Sequence, residues 1–576
     1  MHHLRKEVTS RIMTEHRFSL SHYIIVILIT SGISILMFNQ YIFGGAYYIA
    51  SGAFSSDTIR IYIPTYYMMY DNLAEGWSWW SMQMGLGTSM MSHADVYFDP
   101  FTYILFIFGR TKIAAMVIYM VIAKILCSAL TFKLYADYIG TKGWPSTIAS
   151  VMYAFSGFAI IHGRNFVFST IVIYLPLILL GIERYLSSKK KFLLILSLFL
   201  TAIYFYYFFY MIVIVVGIYV TVRYLQKNEF KLKSYFSYIW PFILMGLSSV
   251  LLSCFILLPN LIITQSNVRV TNSDVDLSQP FILGFNAFFT GILRMFTPDI
   301  LGSPANYRGD YYEQSLFTSI IIFLVLPQLY NVSDKLKRKN IKVIVIILLI
   351  ALLFPYVGII FNGFSTISYR WSFIWHFVVS VGIALSLKEI FERKEINFKL
   401  LIISSILSVA LIFISLIGKL LSTNELQLFF EVIATNGKMI FFAILVIGMF
   451  TVALLLGNKI SKWNIKRGVL CFSVLILFIF SSEVLVGYKS WIGTMDSYQK
   501  SDEVHLGYFD NSNKVIKEIQ ERDDSFYRVN KTFDSVIDSS GIKSDNDPMI
   551  QKYFGLSNYN SAQNPNFVKF IQSMGI

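Results

Sequence analysis

Apolar residues in this chain come in long runs rather than in alternation. About thirteen runs of helix length stand out, most near the 20 residues that cross a bilayer. They lie at 20–38, 113–136, 145–161, 166–186, 192–203, 205–224, 236–263, 313–331, 341–361, 371–388, 398–418, 438–456 and 468–486. The stretch 192–224 reads either as one bent helix or as two short ones broken near Tyr204–Tyr207. This pattern predicts an all-α polytopic membrane protein with a transmembrane domain over 1–486. Most joints are short, but two are long, 39–112 and 264–312. After Gly487 the pattern turns polar, with DNSNKVIKEIQERDDSFYRV and then Asp- and Asn-rich turns. Residues 487–576 read as a small mixed extracytoplasmic region or the start of a larger one.

Charge supplies the orientation. With the N-terminus placed in the cytoplasm, Lys and Arg concentrate on the inner side, as in Lys189–Lys191, Lys335–Lys339 and Lys459–Arg467. The positive-inside rule then puts the first long loop and the C-terminal region outside. The net charge of +14 follows from this bias and is no sign of nucleic-acid binding. The first span is long and is followed by no small-residue cleavage site, so it reads as an anchor rather than a cleaved signal.

Composition changes little in this picture. Only 14% of residues are charged, against about a quarter in a soluble domain. The three cysteines, Cys127, Cys254 and Cys471, all fall inside apolar runs, which speaks against a disulfide framework or a Cys-based metal site. There is no phosphate-binding Gly-rich loop, dinucleotide fingerprint or His-Glu-x-x-His, so nothing points to an ATP-driven pump or a redox enzyme. Neither a metal nor another cofactor is expected.

The chemistry-bearing residues cluster at the outer ends of the spans. The acids there are Asp57, Asp71, Glu75, Asp95, Asp99, Asp299, Asp310 and Glu313, and the bases are Arg60, Arg164, Arg294, Arg308 and Arg370. If the bundle brings these ends together, a carboxylate can take a proton from an attacking hydroxyl while guanidinium groups hold a phosphate leaving group. Asp57, in SSDTIRIY, is the leading base candidate; the plainer reading is a helix cap. It precedes an amphipathic stretch, Arg60–Gly76, that could lie on the membrane surface. Asp95 and Asp99 flank VYF before Pro100; either could be a second acid, and Asp99 could simply open a turn. Arg60, Arg164, Arg308 and Arg370 are candidate phosphate clamps, with headgroup contact as the alternative. Tyr62, Tyr66, Trp80 and His162 are candidate sugar or acceptor contacts. Trp77, Trp79 and Trp80 also read as an interfacial aromatic belt. Lys124, in mid-span, either pairs inside the bundle or meets a donor phosphate. Glu183 with Arg184 reads as ordinary interface charge.

Several motifs in order resemble a known family. They are Asp57 in SDTIRIYIP, Trp80 followed by Gly85-Leu86-Gly87, Asp99-Pro100-Phe101, Lys124, YAFSGF at Tyr153–Phe158, LPLILLGIERYL at Leu175–Leu186, and NGFSTISYRWSF at Asn362–Phe373. Together they resemble YfhO-type bacterial membrane proteins, a branch of the GT-C glycosyltransferases. The resemblance implies a GT-C-like bundle that moves a sugar from a polyprenyl-phosphate carrier to a cell-envelope acceptor such as lipoteichoic or wall teichoic acid. It also implies that the first-loop acid, Asp57, is catalytic. Relatives carry a Gln-Tyr pair soon after the acid, where this chain has Ile61-Tyr62, and most run longer after the membrane part. A flippase for lipid-linked saccharide and a non-catalytic scaffold are the rival readings.

Overall fold

The computed structural model describes the chain apart from residues 1, 51–56, 266–283, 303–315, 332–334, 365–366, 394, 424–425, 461–464, 496–507, 537–545, 558, 560–564 and 575–576. Among the described residues, ten helices are long and apolar enough to cross a membrane, and a bent pair brings the number to eleven. An all-α polytopic membrane protein is therefore what the chain builds. The Trp144–Arg164 span is the centre of the bundle, with 94% of its window buried; Leu232–Gln265, at 33%, is peripheral and turns most of its apolar side outward.

Three expected spans, 192–203, 313–331 and 341–361, are not long straight helices. The run 192–224 resolves into Phe192–Tyr204 and Tyr206–Leu225, separated by Phe205 in an extended conformation. The first of these has 13 residues, so it is about 20 Å long, against a hydrocarbon core of about 30 Å. It packs tightly on Thr170–Ser188, where Gly181 is required: a Cβ there would lie 2.8 Å from the Leu194 backbone.

Over 316–331 the chain forms only a four-residue helix, Ile322–Val325, and a 3-10 turn, Pro327–Asn331. The segment is apolar because it is buried in protein rather than facing lipid. Its irregular backbone is satisfied in part by side chains and a backbone N–H from neighbouring helices. Glu483 accepts from Ile320 N at 2.6 Å and from Ser319 Oγ at 2.7 Å, Trp375 Nε1 donates to Leu316 O at 3.1 Å, and Gly157 N donates to Phe317 O at 2.7 Å. The expected span 341–361 is bent by 97° between Leu353 and Pro355, where the proline ring interrupts the helix. Glu183, near the end of Thr170–Ser188, is buried and paired with Arg223 at 2.7 Å rather than standing as ordinary exposed charge.

The polar C-terminal region packs on the first loop. Arg110 grips Asp71 with two nitrogens and also donates to Ile550 O at 2.8 Å, while Lys552 reaches Asp71 at 3.0 Å and Glu75 at 2.6 Å. The helix Ile63–Glu75 is consequently buried along its first two turns between the bundle and the Asp547–Gln551 helix. The amphipathic stretch thus covers its apolar side with protein, not with lipid. The described C-terminal residues form helices and irregular chain; the one strand pair among the described residues, Trp80–Ser81 with Thr88–Ser89, lies in the first loop.

Candidate functional site

Asp57 opens a π-helical turn, Thr58–Tyr62, in which Ile63 N–H reaches Thr58 O. Wider turns of this kind recur at functional sites. The capping expectation fails locally: Asp57 has a helical backbone (φ −57°, ψ −27°) and makes no capping hydrogen bond. Thr58 anchors the turn instead, donating to Ala50 O at 2.7 Å and accepting from Ala50 N at 3.2 Å.

Tyr62 and Tyr66, one turn apart, both rest on the Phe166 ring, at centroid distances of 5.6 and 6.3 Å. Burial holds the Tyr62 hydroxyl well above its usual range, the charges of Asp57 and Asp95 push in the same direction, and Arg370 opposes them. Asp57, Asp95 and Arg370, far apart in sequence, thus converge electrostatically on one neutral phenol. Burial also raises the Asp95 carboxyl to about 7, against hydrogen bonds from Val96 and its own amide; Asp99 adds to the rise and Lys124 reduces it. A carboxyl balanced near neutrality is a competent proton donor or acceptor.

Asp99 is engaged differently. Lys124 Nζ lies 2.5 Å from its Oδ2, and both side chains are only 1% exposed. Thr170 Oγ1 donates to the same oxygen at 3.0 Å, and Phe101 N donates to Oδ1 at 3.1 Å, which is the turn-opening bond foreseen before Pro100. Lys124 also donates to Phe166 O at 2.6 Å. The pair therefore ties the loop to two helices directly beneath the Tyr62–Tyr66 shelf.

Arg370 lies over Phe168 at 5.2 Å and near Tyr207 at 5.9 Å, and the Tyr207 hydroxyl donates to Asn362 Oδ1 at 2.7 Å. His162 is buried, 4.9 Å from the Phe158 ring and 6.5 Å from Phe168. Arg164 is buried too; it donates to Ile161 O at 3.2 Å and lies 4.8 Å from the Trp491 ring, against which Arg294 sits at 5.1 Å. Near Arg294, burial raises Asp299 to about 7, and its carboxylate accepts from Ser490 N at 3.1 Å.

Other candidates lie apart from this group. The Arg60 guanidinium stacks 3.6 Å from the Tyr559 ring, facing the C-terminal region. Trp80 is 53% exposed on the strand pair, with its indole against Gly87, so it stands at the rim and not over Tyr62. Arg308, Asp310 and Glu313 lie outside the described residues. No three His, Cys, Asp or Glu side chains among the described residues are grouped to hold a metal ion. An apolar recess of about 430 Å³ between Leu426–Ile460 and Ile465–Gly487, lined by Gly457, Cys471 and Phe472, is remote from the site, near the ends of those helices opposite Gly487.

Sequence reading missed Tyr207, Phe166, Phe168 and Trp491. The suspected break at Tyr204–Tyr207 was the one signal for the first of these; the others look like ordinary core aromatics. Comparison with family models matches the chain to Bacterial membrane protein YfhO over residues 23–576. Comparison with curated proteins found no match.

Proposed function

The chain belongs to the family of bacterial membrane protein YfhO, and from that premise we propose that it is a membrane glycosyltransferase using a polyprenyl-phosphate sugar donor. The acceptor is a cell-envelope polymer such as lipoteichoic or wall teichoic acid, reached at the outer face. The Lys and Arg bias supports placing the first loop and C-terminal region outside and the N-terminus in the cytoplasm. The observation that carries the reading is that Tyr62 and Tyr66 rest on Phe166 while Arg370 lies over the neighbouring Phe168, with the charges of Asp57 and Asp95 felt at Tyr62.

In this reading Asp57 accepts the proton of the acceptor hydroxyl. The acceptor oxygen bonds to the anomeric carbon as that carbon's bond to the phosphate oxygen breaks. The electron pair stays on the phosphate, held by Arg370 and Arg164, and a single displacement inverts the anomeric centre. Asp95 supplies a second carboxyl, and Tyr62 and Tyr66 offer a surface for the sugar. Lys124 and Asp99 keep that surface in place.

The test is transfer from a purified polyprenyl-phosphate sugar by protein in lipid, with Asp57→Asn beside wild type. Loss of the general base lowers turnover by about 10²–10⁴-fold with normal expression. Full activity would remove Asp57 as the base. Mass spectrometry of teichoic acids from wild-type and deletion strains identifies the sugar. One observation favours a second reading: the chain breaks at Phe205 and Phe354 resemble the discontinuous helices of carriers. A flippase would leave the polymer glycosylated in an Asp57→Asn strain and would move lipid-linked saccharide across vesicles without transfer.

A further inference from the structure

Pro64 creates a local deficit. Its nitrogen carries no hydrogen, so it cannot serve the carbonyl four residues back, Arg60, or the one five back, Ile59. These carbonyls belong to the π-helical turn that carries Asp57 and Arg60. Both receive a donor from the C-terminal region, 449 and 486 residues away in sequence. The Tyr508 hydroxyl donates to Ile59 O at 2.6 Å, and Asn546 Nδ2 donates to Arg60 O at 2.7 Å.

Asn546 is itself held. It is 1% exposed, its Nδ2 also donates to Tyr559 O at 2.9 Å, and its Oδ1 accepts from Tyr559 N at 3.0 Å. That clamp places the Tyr559 ring under the Arg60 guanidinium. Behind it, Asp547 pairs with Lys531 at 2.5 Å and accepts from Ser535 N at 3.0 Å. Tyr508 and Asn546 thus sit in an ordered scaffold whose two donors meet the carbonyls that Pro64 leaves unserved.

We infer that Tyr508 and Asn546 are positioning residues that hold the Asp57–Arg60 turn in its working geometry, making the C-terminal region part of the site. The catalytic half of this inference rests on the transferase reading. The structural half does not.

The experiment measures backbone hydrogen exchange on the full chain in lipid nanodiscs, together with sugar transfer. Asn546→Ala should speed exchange in peptides covering 57–66 by about five- to tenfold, the worth of one hydrogen bond. Peptides of Ile113–Tyr138 and Thr170–Ser188 should stay unchanged. Tyr508→Phe should act in the same direction. Pro64→Ala restores a backbone N–H one helical turn after Arg60, so Asn546→Ala/Pro64→Ala should regain most of the lost protection, with Pro64→Ala alone as baseline. In the transfer assay Asn546→Ala should lower kcat by about tenfold or more, because small displacements of a reacting group are costly, and the double variant should recover it.

Unchanged exchange at 57–66, or no recovery in the double variant, overturns the inference. Faster exchange with undiminished kcat overturns the positioning role alone. If wild type transfers no sugar, the transferase reading fails, and the exchange measurements still decide whether the C-terminal region holds the turn. A general loss of protection in every peptide on Asn546→Ala would mean that the residue supports the whole fold and would overturn the specific assignment.

Discussion

Replacing Lys124 by Met separates the two roles its mid-span position allows. The ammonium lies 2.5 Å from Asp99, with each side chain 1% exposed, so removing it leaves a carboxylate sealed from water. Breaking such a pair from one side costs about 3–5 kcal/mol, a shift of roughly a hundredfold to a few thousandfold in the folding equilibrium. Phe166 O also loses its donor, adding about 1 kcal/mol. Asp99→Asn in the Lys124→Met background removes the stranded charge: its one amide oxygen still accepts from Phe101 N, and its NH2, in the place of Oδ2, can donate to the Thr170 hydroxyl. Most of the loss should then return, apart from the share owed to Phe166. The assay is thermal loss of monodisperse protein in mild detergent for wild type, both single variants and the double. A Lys124→Met protein as stable as wild type, or a double variant no better than the single, refutes the reasoning. A stable but inactive Lys124→Met would instead place Lys124 at the donor phosphate.

Two further predictions concern pH and backbone shape. Asp95 and Asp299 both release their protons near pH 7 when folded, whereas exposed aspartates do so near 4. Between about pH 4 and 7 these two sites hold more protons in the folded chain than in the unfolded one, so their contribution to stability falls as pH rises through that window, while buried His93, lowered to about 4, contributes with the opposite sign. Asp95→Asn should make that slope shallower while leaving the share of Asp299, read from unfolding midpoints across pH; an unchanged slope would mean that Asp95 is not shifted. Gly87 has φ +113°, and a Cβ there would lie 2.6 Å from Trp80 Nε1, while Gly76, at φ +111°, has nothing within 4 Å. Both Ala variants carry backbone strain of about 1–3 kcal/mol, but Gly87→Ala must also displace the indole. It should lower the unfolding midpoint further than Gly76→Ala, and equal midpoints would contradict the packing.

What the sequence made legible were features set by local pattern. Apolar runs of membrane length predicted the class, because lipid forces backbone groups to be satisfied within a helix. The possible break at Tyr204–Tyr207 was visible because clustered aromatics interrupt an aliphatic run. Asp99 before Pro100 announced its turn. The segment 316–331 was misread as a straight span because apolarity reports burial without saying whether lipid or protein does the covering. Asp57 looked like a cap by residue type, but Pro64 and the C-terminal region shape that turn. Nothing near Asp57 in sequence reveals Tyr508 or Asn546. The same distance hides the stacking of Arg60 on Tyr559, which turns a candidate phosphate ligand towards the C-terminal region.

The docking of the C-terminal region on the first loop also constrains how the chain can be threaded. Arg110, Asp71 and Asn546 can meet only if the segment after the first span and the segment after the last lie on one face. The chain must then make an even number of passes between them and an odd number in all. Among the described residues, ten candidate spans alone break that parity, and the bent pair, taken as one pass, restores it. Counting Phe192–Tyr204 as one more would break it again unless the irregular stretch through Ile322–Val325 also crosses. If the bent pair crosses, the short helix and the irregular stretch are either both passes or neither; if it is re-entrant, one of them alone crosses. A reporter fused in the Lys227–Lys231 joint and another fused near Arg393 would read the answer from opposite sides of the irregular stretch.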